Sequence, residues 1–147
     1  MAENSVSIGR DYVDTSWKLL DATRERLLLA RTRDDIVAIV RATARSILAA
    51  DGVCFVLRDG EECHCLDEDA IAPLWKGERF RVDACISGWA MVEGRTAAIP
   101  DTTRDARVPQ DAYRGTFVKS LIMAPVGSDA AIGAYWRAGL PPVAMEV

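Results

Sequence analysis

Apolar residues recur at helical spacing in the first part of the chain, which indicates a helix with one apolar stripe. The members of this stripe are Val13, Trp17, Leu20 and Leu27. Residues 1–10 lack the pattern and are expected to form a flexible tail. Thr32 and Asp35 have the spacing of a capping box, which predicts the start of a second helix, and Gly52 suits its end. The pattern therefore predicts two tandem helices ahead of the remaining chain.

After the second helix the pattern changes to short apolar runs of the kind that form strands. Asp59-Gly60 indicates a two-residue hairpin turn, and in the resulting register Arg58 lies opposite Glu61. Further strands are expected at residues 79–82, 96–99, 120–126 and 131–136, with short helices at 87–93 and 111–117. The predicted fold class is α+β, with a central antiparallel sheet of about five to six strands in a single domain over residues 11–147.

Length and charge narrow the function. The chain has 147 residues, half of them hydrophobic, and a formal net charge of -4. A negative charge disfavours nucleic acid, because phosphate binding requires a basic field. No apolar run approaches the roughly 20 residues that cross a bilayer, and the N-terminus lacks the basic start and apolar core of a signal peptide. We therefore expect a cytoplasmic protein with reduced cysteines, no membrane segment and no nucleic-acid partner.

Three of the four cysteines fall in the predicted hairpin. The register places Cys54 opposite Cys65, with Cys63 on the same side. Successive strand residues point to opposite faces, so His64 cannot share a site with these thiols. A zinc site needs four ligands at set spacing, and the CxxC pairs that indicate one are missing. We therefore expect no metal and interpret these cysteines as small buried apolar groups.

Five short motifs follow one another in the second half of the chain. They are Leu74-Trp75-Lys76-Gly77, ISGWAM at residues 86–91, Ile99-Pro100-Asp101, DAYR at 111–114 with TFVKS at 116–120, and AIGAYW at 131–136. In this order they resemble a GAF domain of the kind found ahead of HWE-type sensor histidine kinases, over residues 33–137. The resemblance implies N-terminal helices on one face of the sheet and short lid helices and loops on the other. It also implies a pocket between sheet and lid.

The same resemblance implies a closing C-terminal helix that leads to an output domain. Pro141-Pro142 and the residues after them look like the first turn of such a helix, and the sequence ends at Val147. We therefore expect a domain that lacks its closing helix and belongs to a longer sensor histidine kinase. The kinase's phosphoacceptor helix and ATP-binding segment are not found in these residues.

Several side chains would line or roof the implied pocket. The candidate ligand-binding residues are Trp89, Asp101, Tyr113, Phe117 and Tyr135. The aromatic rings offer apolar contact, with a polar group on each tyrosine, and Arg107 and Lys119 are further polar candidates. Ordinary core packing of the rings, or surface solvation of the charges, is the alternative for each. The ligand and any cofactor stay unknown: a cyclic nucleotide, haem, a small acid or no ligand at all. A tetrapyrrole tethered at Cys63 is disfavoured, because that residue lies in the early hairpin.

The interpretation from sequence is a sensory domain that catalyses no reaction. Two alternatives are open. One is an enzyme like free methionine sulfoxide reductase that uses Cys85, although Ser87 stands where that family has a cysteine, and no cysteine follows Cys85. The other is a dimerisation spacer without a ligand. We also expect a homodimer through the first helix, whose apolar stripe is widened by Leu28 and Leu29.

Overall fold

Helices come first and a sheet follows in the computed structural model of the chain, which describes the backbone of residues 2–140 and side chains from residue 13 onward. The chain divides into two compact units, residues 1–49 and 50–147, where the sequence predicts one domain over 11–147. The helix expected to begin at Pro141 lies outside the described residues.

The first unit consists of two helices that pack against each other, α1 (Ala2–Leu29) and α2 (Arg33–Leu48). The helix α1 includes residues 2–10, for which a tail is expected. The predicted capping box is confirmed: the Asp35 N–H donates to Thr32 Oγ1, and the Thr32 N–H donates to Asp35 Oδ2, both at 3.1 Å. Among the described helices, none combines the length and apolar run that crossing a bilayer requires.

The end of α2 differs from the prediction. The helix stops at Leu48 and not at Gly52, because Ala49 adopts a left-handed backbone with φ of 49°. Its N–H donates to the carbonyls of Arg45 and Ser46, which satisfies part of the last helical turn. Gly52 becomes the first residue of a strand instead.

The second unit is built on a six-stranded sheet in which every pair of neighbours is antiparallel, which confirms the predicted α+β class. The strands are β1 (Gly52–Asp59), β2 (Glu62–Ala70), β3 (Arg79–Arg81), β4 (Ala97–Ile99), β5 (Ser120–Val126) and β6 (Ala130–Trp136). Their order across the sheet is β3-β2-β1-β6-β5-β4. The first strand therefore pairs with the last, and the chain between them must cross over the sheet.

The predicted hairpin register is wrong. Asp59 pairs with Glu62 and Arg58 with Cys63, so the two turn residues are Gly60 and Glu61. Gly60 has a φ of 62°, which places the flexible residue at the first turn position. A bulge between Phe55 and Val56 shifts the register again, so that Cys54 pairs with Glu68 and Val56 with Cys65.

Two short helices lie between the strands. The helix α3 (Ile86–Glu93) begins after a 3₁₀ turn at Val82–Ala84 and ends at Gly94, as the sequence predicts. The helix α4 (Gln110–Tyr113) is shorter than predicted. Gly115 has a φ of 86°, and the Thr116 hydroxyl and N–H both donate to the Tyr113 carbonyl, which closes a turn where the helix was expected to continue.

The hydrophobic core of the second unit lies between one face of the sheet and α3, which contacts β2, β5 and β6. Its fully or nearly fully buried members are Cys54, Val56, Cys63, Cys65, Ile86, Ala90, Met91, Leu121, Met123 and Tyr135. Aromatic side chains from the loops and from α4 pack against this layer.

Candidate functional site

The space between sheet and lid, where the resemblance implies a pocket, is nearly closed. It contains a cavity of about 20 Å³, which we call the core cavity. Its lining residues are Val56, Cys65, Trp75, Phe80, Cys85, Ile86, Ser87, Pro109, Tyr113, Met123 and Tyr135. A cavity needs about 10–15 Å³ of this kind of volume to hold one water molecule. The core cavity therefore has room for about one water and not for an organic ligand.

Aromatic rings fill this space. Trp75 is 5 % exposed, and its ring centroid lies 4.6 Å from that of Tyr113 and 5.3 Å from that of Tyr135. The indole Nε1–H donates to the Ala112 carbonyl at 2.9 Å, so the polar atom of the ring is satisfied. The Glu68 carboxylate accepts the backbone N–H groups of residues 74, 75 and 76, and this fixes the loop that carries Trp75.

All four thiols are buried, in two interacting pairs, and Cys65 and Cys85 line the core cavity. Cys54 interacts with Cys65, and its Sγ lies 3.5 Å from the Tyr135 hydroxyl. Cys63 interacts with Cys85. Cys63 and Cys65 lie two residues apart on β2 and so face the same side of the sheet. Each of them pairs with a cysteine from another part of the chain. Within the described residues, no group of three or more histidine, cysteine or carboxylate side chains has an arrangement that could hold a metal ion.

Cys85 differs from the other three thiols in its hydrogen-bond donors. It is the N-cap residue of α3, and its Sγ accepts the Gly88 N–H at 3.4 Å and lies 3.3 Å from the Ser87 hydroxyl. The Cys63 thiol and these donors lower the pKa of Cys85 to about 6, against the effect of burial. The hydrogen bond with Cys85, burial and the negative charge at Cys85 raise the pKa of Cys63. Cys85 is therefore the thiol of this pair that loses its proton more readily.

A second and larger cavity of about 380 Å³ lies beside α4, and we call it the lid cavity. It is lined by Thr102, Thr103, Gln110, Tyr113, Arg114, Thr116, Phe117, Val118, Lys119 and Arg137. Its framework is held by hydrogen bonds: the Gln110 amide donates to the Thr102 carbonyl at 2.7 Å, and the Thr102 hydroxyl donates to the Val118 carbonyl at 3.3 Å. This volume is within the range of small-molecule sites.

Cations contribute to the lining of the lid cavity. Three of its lining residues are cations, and none is a carboxylate. Arg114 pairs with Asp111 at 3.0 Å, and Arg137 pairs with Asp51 at 3.6 Å. Within residues 13–140, no carboxylate lies at ion-pair distance from Lys119, although its charge reaches Asp101, whose pKa is lowered first by hydrogen bonds with Thr103 and to a smaller extent by Lys119. Lys119 is therefore the cation of this cavity with the most capacity to bind an anion.

A third concavity, of about 170 Å³, lies at the start of α3, and we call it the outer depression. Trp89 and Arg107 line it, with the guanidinium 4.4 Å from the ring centroid. Asp105 accepts two bonds from the same guanidinium, at 2.9 and 2.7 Å, and this pairing lowers the pKa of Asp105. Cys85 lines both the outer depression and the core cavity.

The five candidate residues from the sequence do not form one site. Tyr113 lines both the core cavity and the lid cavity, Phe117 lines the lid cavity, and Tyr135 lines the core cavity. Trp89 lies in the outer depression. Asp101 is exposed and closes its own turn, because its carboxylate accepts the Thr103 N–H and hydroxyl at 3.0 and 2.6 Å.

Sequence reasoning missed Trp75 as a residue of this region, although it lies in one of the five motifs. Its role depends on Glu68, six residues before the first N–H that this carboxylate accepts, and on contacts with Tyr113 and Tyr135. A lone tryptophan after Pro73 in an acidic segment was the available signal. The pairing of Cys63 with Cys85 was also missed, because the two residues meet only through the fold.

The fold of this chain is similar to those of several proteins with solved structures. Neither a model of a protein family nor a curated protein matches the sequence. Solved structures do match. One is the free methionine-R-sulfoxide reductase of Neisseria meningitidis in complex with its substrate, with a TM-score of 0.75 and 16 % identity over 87 % of this chain and 77 % of that one.

Two further neighbours are GAF domains. That of an Acinetobacter phosphoenolpyruvate-protein phosphotransferase has a TM-score of 0.71 and 10 % identity, over 90 % of this chain and 84 % of that one. The phycocyanobilin-bound GAF domain of a cyanobacterial phytochrome has a TM-score of 0.68 and 15 % identity, over 89 % and 86 %. At such identities the likeness concerns the fold alone. The fold of this chain is that of GAF domains.

Proposed function

We propose that this chain is a sensory domain whose lid cavity binds a small anionic molecule. The observation that carries the proposal is the size and charge of that cavity: about 380 Å³, with three cations and no carboxylate among its lining residues. The resemblance to GAF domains ahead of sensor histidine kinases supports a cytoplasmic location and a kinase as the output domain of the intact protein.

The lining residues indicate the chemical class of the ligand. Lys119 supplies a point charge, and the Thr102, Thr103 and Thr116 side chains border the same space. Phe117 contributes an aromatic wall. A carboxylate or phosphate attached to a small flat or apolar group satisfies both parts, because the anion is held by charge-assisted hydrogen bonds and the remainder packs on the ring.

Calorimetric titration with matched probes tests this class. Benzoate and phenyl phosphate carry the charge and the ring, benzamide carries the ring alone, and inorganic phosphate carries the charge alone. A hydrogen bond to a charged group contributes about 1.5–3 kcal/mol, so benzoate should bind at least about tenfold more tightly than benzamide. Native mass spectrometry of the purified chain would show in addition whether a molecule of this class co-purifies.

A matched pair of variants locates the binding. Lys119→Gln should remove most of the preference for benzoate over benzamide. Lys76→Gln should leave it unchanged, because Lys76 pairs with Asp67 at 3.1 Å and does not line the lid cavity. Equal binding of both probes, or the same loss in both variants, would contradict the proposal.

A dimerisation spacer without a ligand is the second candidate, and the core cavity favours it. The space where the resemblance implies a ligand is filled by Trp75, Tyr113 and Tyr135 and holds about one water. Apolar side chains on α1 are meanwhile open to solvent: Trp17 is 60 % exposed, Leu28 78 % and Leu29 81 %. A second copy of the chain is the occupant that we propose for this surface.

Light scattering at micromolar concentration tests the dimer. The wild type should be dimeric, and the double substitution Trp17→Glu with Leu20→Glu should be monomeric. A monomeric wild type, or a dimer that persists in the double variant, would show that this surface does not hold two copies together. Binding at the lid cavity and dimerisation are compatible, so each experiment is decided separately.

We also propose that the chain is not a methionine sulfoxide reductase, despite the solved reductase among its structural neighbours. Ser87 occupies the position of a cysteine expected for that family, and no cysteine follows Cys85. A core cavity of about 20 Å³ also leaves no room for an amino acid. Reduction of free methionine sulfoxide that is lost in Cys85→Ser would overturn this proposal.

A further inference from the structure

We propose that Cys85 is an oxidation site for small hydroperoxides and that Cys63 resolves the oxidised form to a Cys63–Cys85 disulfide. This activity is separate from ligand binding at the lid cavity and involves none of its lining residues. Three observations carry the proposal: the position of Cys85 on α3, the second thiol beside it, and a solvent route to its sulfur.

The position of Cys85 stabilises a thiolate. As the N-cap of α3 it lies at the positive end of an eight-residue helix, and its Sγ contacts the Gly88 N–H at 3.4 Å and the Ser87 hydroxyl at 3.3 Å. These contacts also lower the pKa of Cys85. The thiolate is the form of cysteine that attacks peroxides.

Cys63 on β2 is the resolving group, because its thiol is hydrogen-bonded to Cys85. Alternation along the strand places Cys63 on the same face as Cys65, and Cys65 lines the core cavity together with Cys85. The hydrogen bond with Cys85, burial and the negative charge at Cys85 all raise the pKa of Cys63. Oxidation of Cys85 removes that charge and makes the Cys63 proton easier to release.

A hydroperoxide reaches Cys85 through the outer depression. Cys85 is 8 % exposed and lines this depression of about 170 Å³ together with Trp89, Arg107 and Asp83. The two charged side chains are neutralised by partners, since Arg107 pairs with Asp105 at 2.7 Å and Asp83 with Arg81 at 2.8 Å. The route therefore suits a small neutral oxidant.

The proposed oxidation has two chemical steps, and atoms and electrons are conserved in each. In the first, Cys85 Sγ attacks one peroxide oxygen, an S–O bond forms, the O–O bond breaks, and the leaving alkoxide takes a proton to become an alcohol or water. The sulfur is oxidised by two electrons and the peroxide is reduced. In the second, Cys63 Sγ attacks Cys85 Sγ, the S–S bond forms, the S–O bond breaks, and the hydroxyl leaves as water with the Cys63 proton. Thiol exchange with a small dithiol restores both thiols.

The second thiol pair is a control within the same core. Cys54 and Cys65 are also buried and also interact, but neither caps a helix, and the neighbouring polar group is the Tyr135 hydroxyl. The pKa of Cys65 is raised by Cys54 and by burial. We therefore expect this pair to stay reduced under conditions that oxidise Cys85.

Intact-mass analysis and non-reducing peptide mapping after treatment with hydrogen peroxide test the proposal. The wild type should lose two hydrogen atoms and yield a Cys63–Cys85 cross-linked peptide, which dithiothreitol reverses. Cys63→Ala should stop at a sulfenic acid on Cys85 that dimedone traps. Cys65→Ala, a matched change two residues along the same strand, should still form the disulfide. Cys85→Ser should form neither product while staying folded, because serine is a preferred N-cap residue.

Three outcomes would overturn the proposal: a Cys54–Cys65 cross-link in place of Cys63–Cys85, oxidation of Cys85 no faster than that of free glutathione, or a disulfide in Cys65→Ala that is lost as it is in Cys63→Ala. Methionine sulfoxide offered in place of peroxide should leave the mass unchanged. The pH dependence of alkylation supplies a second readout that does not need the disulfide: the rate at Cys85 should rise around pH 6.

Discussion

The core cavity and the lid cavity share Tyr113 as a wall but differ in size and chemistry. The core cavity measures about 20 Å³ and is bordered by rings and thiols, whereas the lid cavity measures about 380 Å³ and is bordered by cations and threonines. The pocket that the sequence resemblance implies corresponds to the first of these spaces. The comparison teaches that the aromatic residues of this chain fill the space that they were expected to surround, so capacity for a ligand depends on the space left beside them.

The substitution Trp75→Ala should have the largest effect, because the Trp75 ring fills the space around the core cavity. Replacing a buried tryptophan by alanine typically costs about 3–5 kcal/mol in the free energy of unfolding. The same loss is expected here, since the ring packs between Tyr113 and Tyr135 and donates to the Ala112 carbonyl. Urea unfolding at fixed protein concentration measures it.

Trp89→Ala is the matched control. The Trp89 ring is only half-buried and contacts the Arg95 and Arg107 guanidinium groups, so its loss should cost about 1 kcal/mol. Added indole should restore stability to Trp75→Ala and not to Trp89→Ala, because only the first variant gains an enclosed apolar cavity. Equal losses of unfolding free energy in the two variants would mean that the packing of the Trp75 ring is not what keeps the core cavity filled.

Gly88→Ala tests how tightly α3 closes the core side. A methyl group at this position would meet the Val82 carbonyl at a distance that no real contact allows, so α3 and the preceding 3₁₀ turn must separate. Overpacking of this kind typically costs 1–3 kcal/mol, and we expect about 3 kcal/mol in urea unfolding.

Gly94→Ala supplies the comparison at the other end of α3. Gly94 has a φ of 61° and open space around it, so alanine there meets backbone strain of about 1 kcal/mol and no collision. If Gly88→Ala lowers the free energy of unfolding less than Gly94→Ala does, the start of α3 can move to accommodate the added methyl group. Tight packing of α3 would then not explain why the core cavity is closed.

Local patterns predicted much of this fold. The strand β5 has the bounds expected from sequence, and the capping box at Thr32 places the start of α2, because both depend on neighbouring residues. The hairpin register was wrong, because the turn is one residue further along and the bulge after Phe55 has no sequence signature. The end of α2 was missed because Ala49, a residue that rarely adopts positive φ, does so here.

The candidate site was less predictable for a physical reason. Whether Tyr135 binds a ligand or packs against Trp75 depends on distances between β6 and a loop about 60 residues earlier in the sequence. The thiolate character of Cys85 depends in part on Cys63, which belongs to another element. Residue types along the chain singled out aromatic residues of the second unit, but the division of these residues among three separate spaces emerged only from tertiary packing.

Tyr113→Phe tests the wall that the two cavities share. The Tyr113 hydroxyl interacts with Tyr135 on the core side, and burial raises the pKa of Tyr113. Loss of one such hydrogen bond should cost about 1 kcal/mol in unfolding free energy. Benzoate binding at the lid cavity should change less than about twofold, because the ring stays in place. A strong loss of benzoate binding would instead assign the hydroxyl to the lid side and make the two cavities one functional unit.

The smallest expected effect concerns the segment that joins the two cavities. Pro109 lines the core cavity, Gln110 lines the lid cavity, and the Asp105–Arg107 pair fixes the chain just before them. Hydrogen bonds from Arg107 hold the pKa of Asp105 below its usual value. The stability that this pair contributes is therefore present above the pKa of an unfolded aspartate, about 3.9, and is lost as the pH falls through the lower folded value.

The pair is partly exposed, at 33 % for Arg107 and 21 % for Asp105, so screening limits its contribution to about 0.5–1 kcal/mol. Urea unfolding of the wild type and of Asp105→Asn, measured from pH 7 down to acid, should give a difference that is constant above about pH 4 and shrinks below it. Asp83→Asn is the control, since the Asp83–Arg81 pair is mostly exposed and does not lie next to Pro109 or Gln110 in the sequence. A difference that grows toward acid would reverse the sign of the linkage. In that case the packing of Pro109 against the core cavity, and not the Asp105–Arg107 ion pair, would hold the segment between the two cavities.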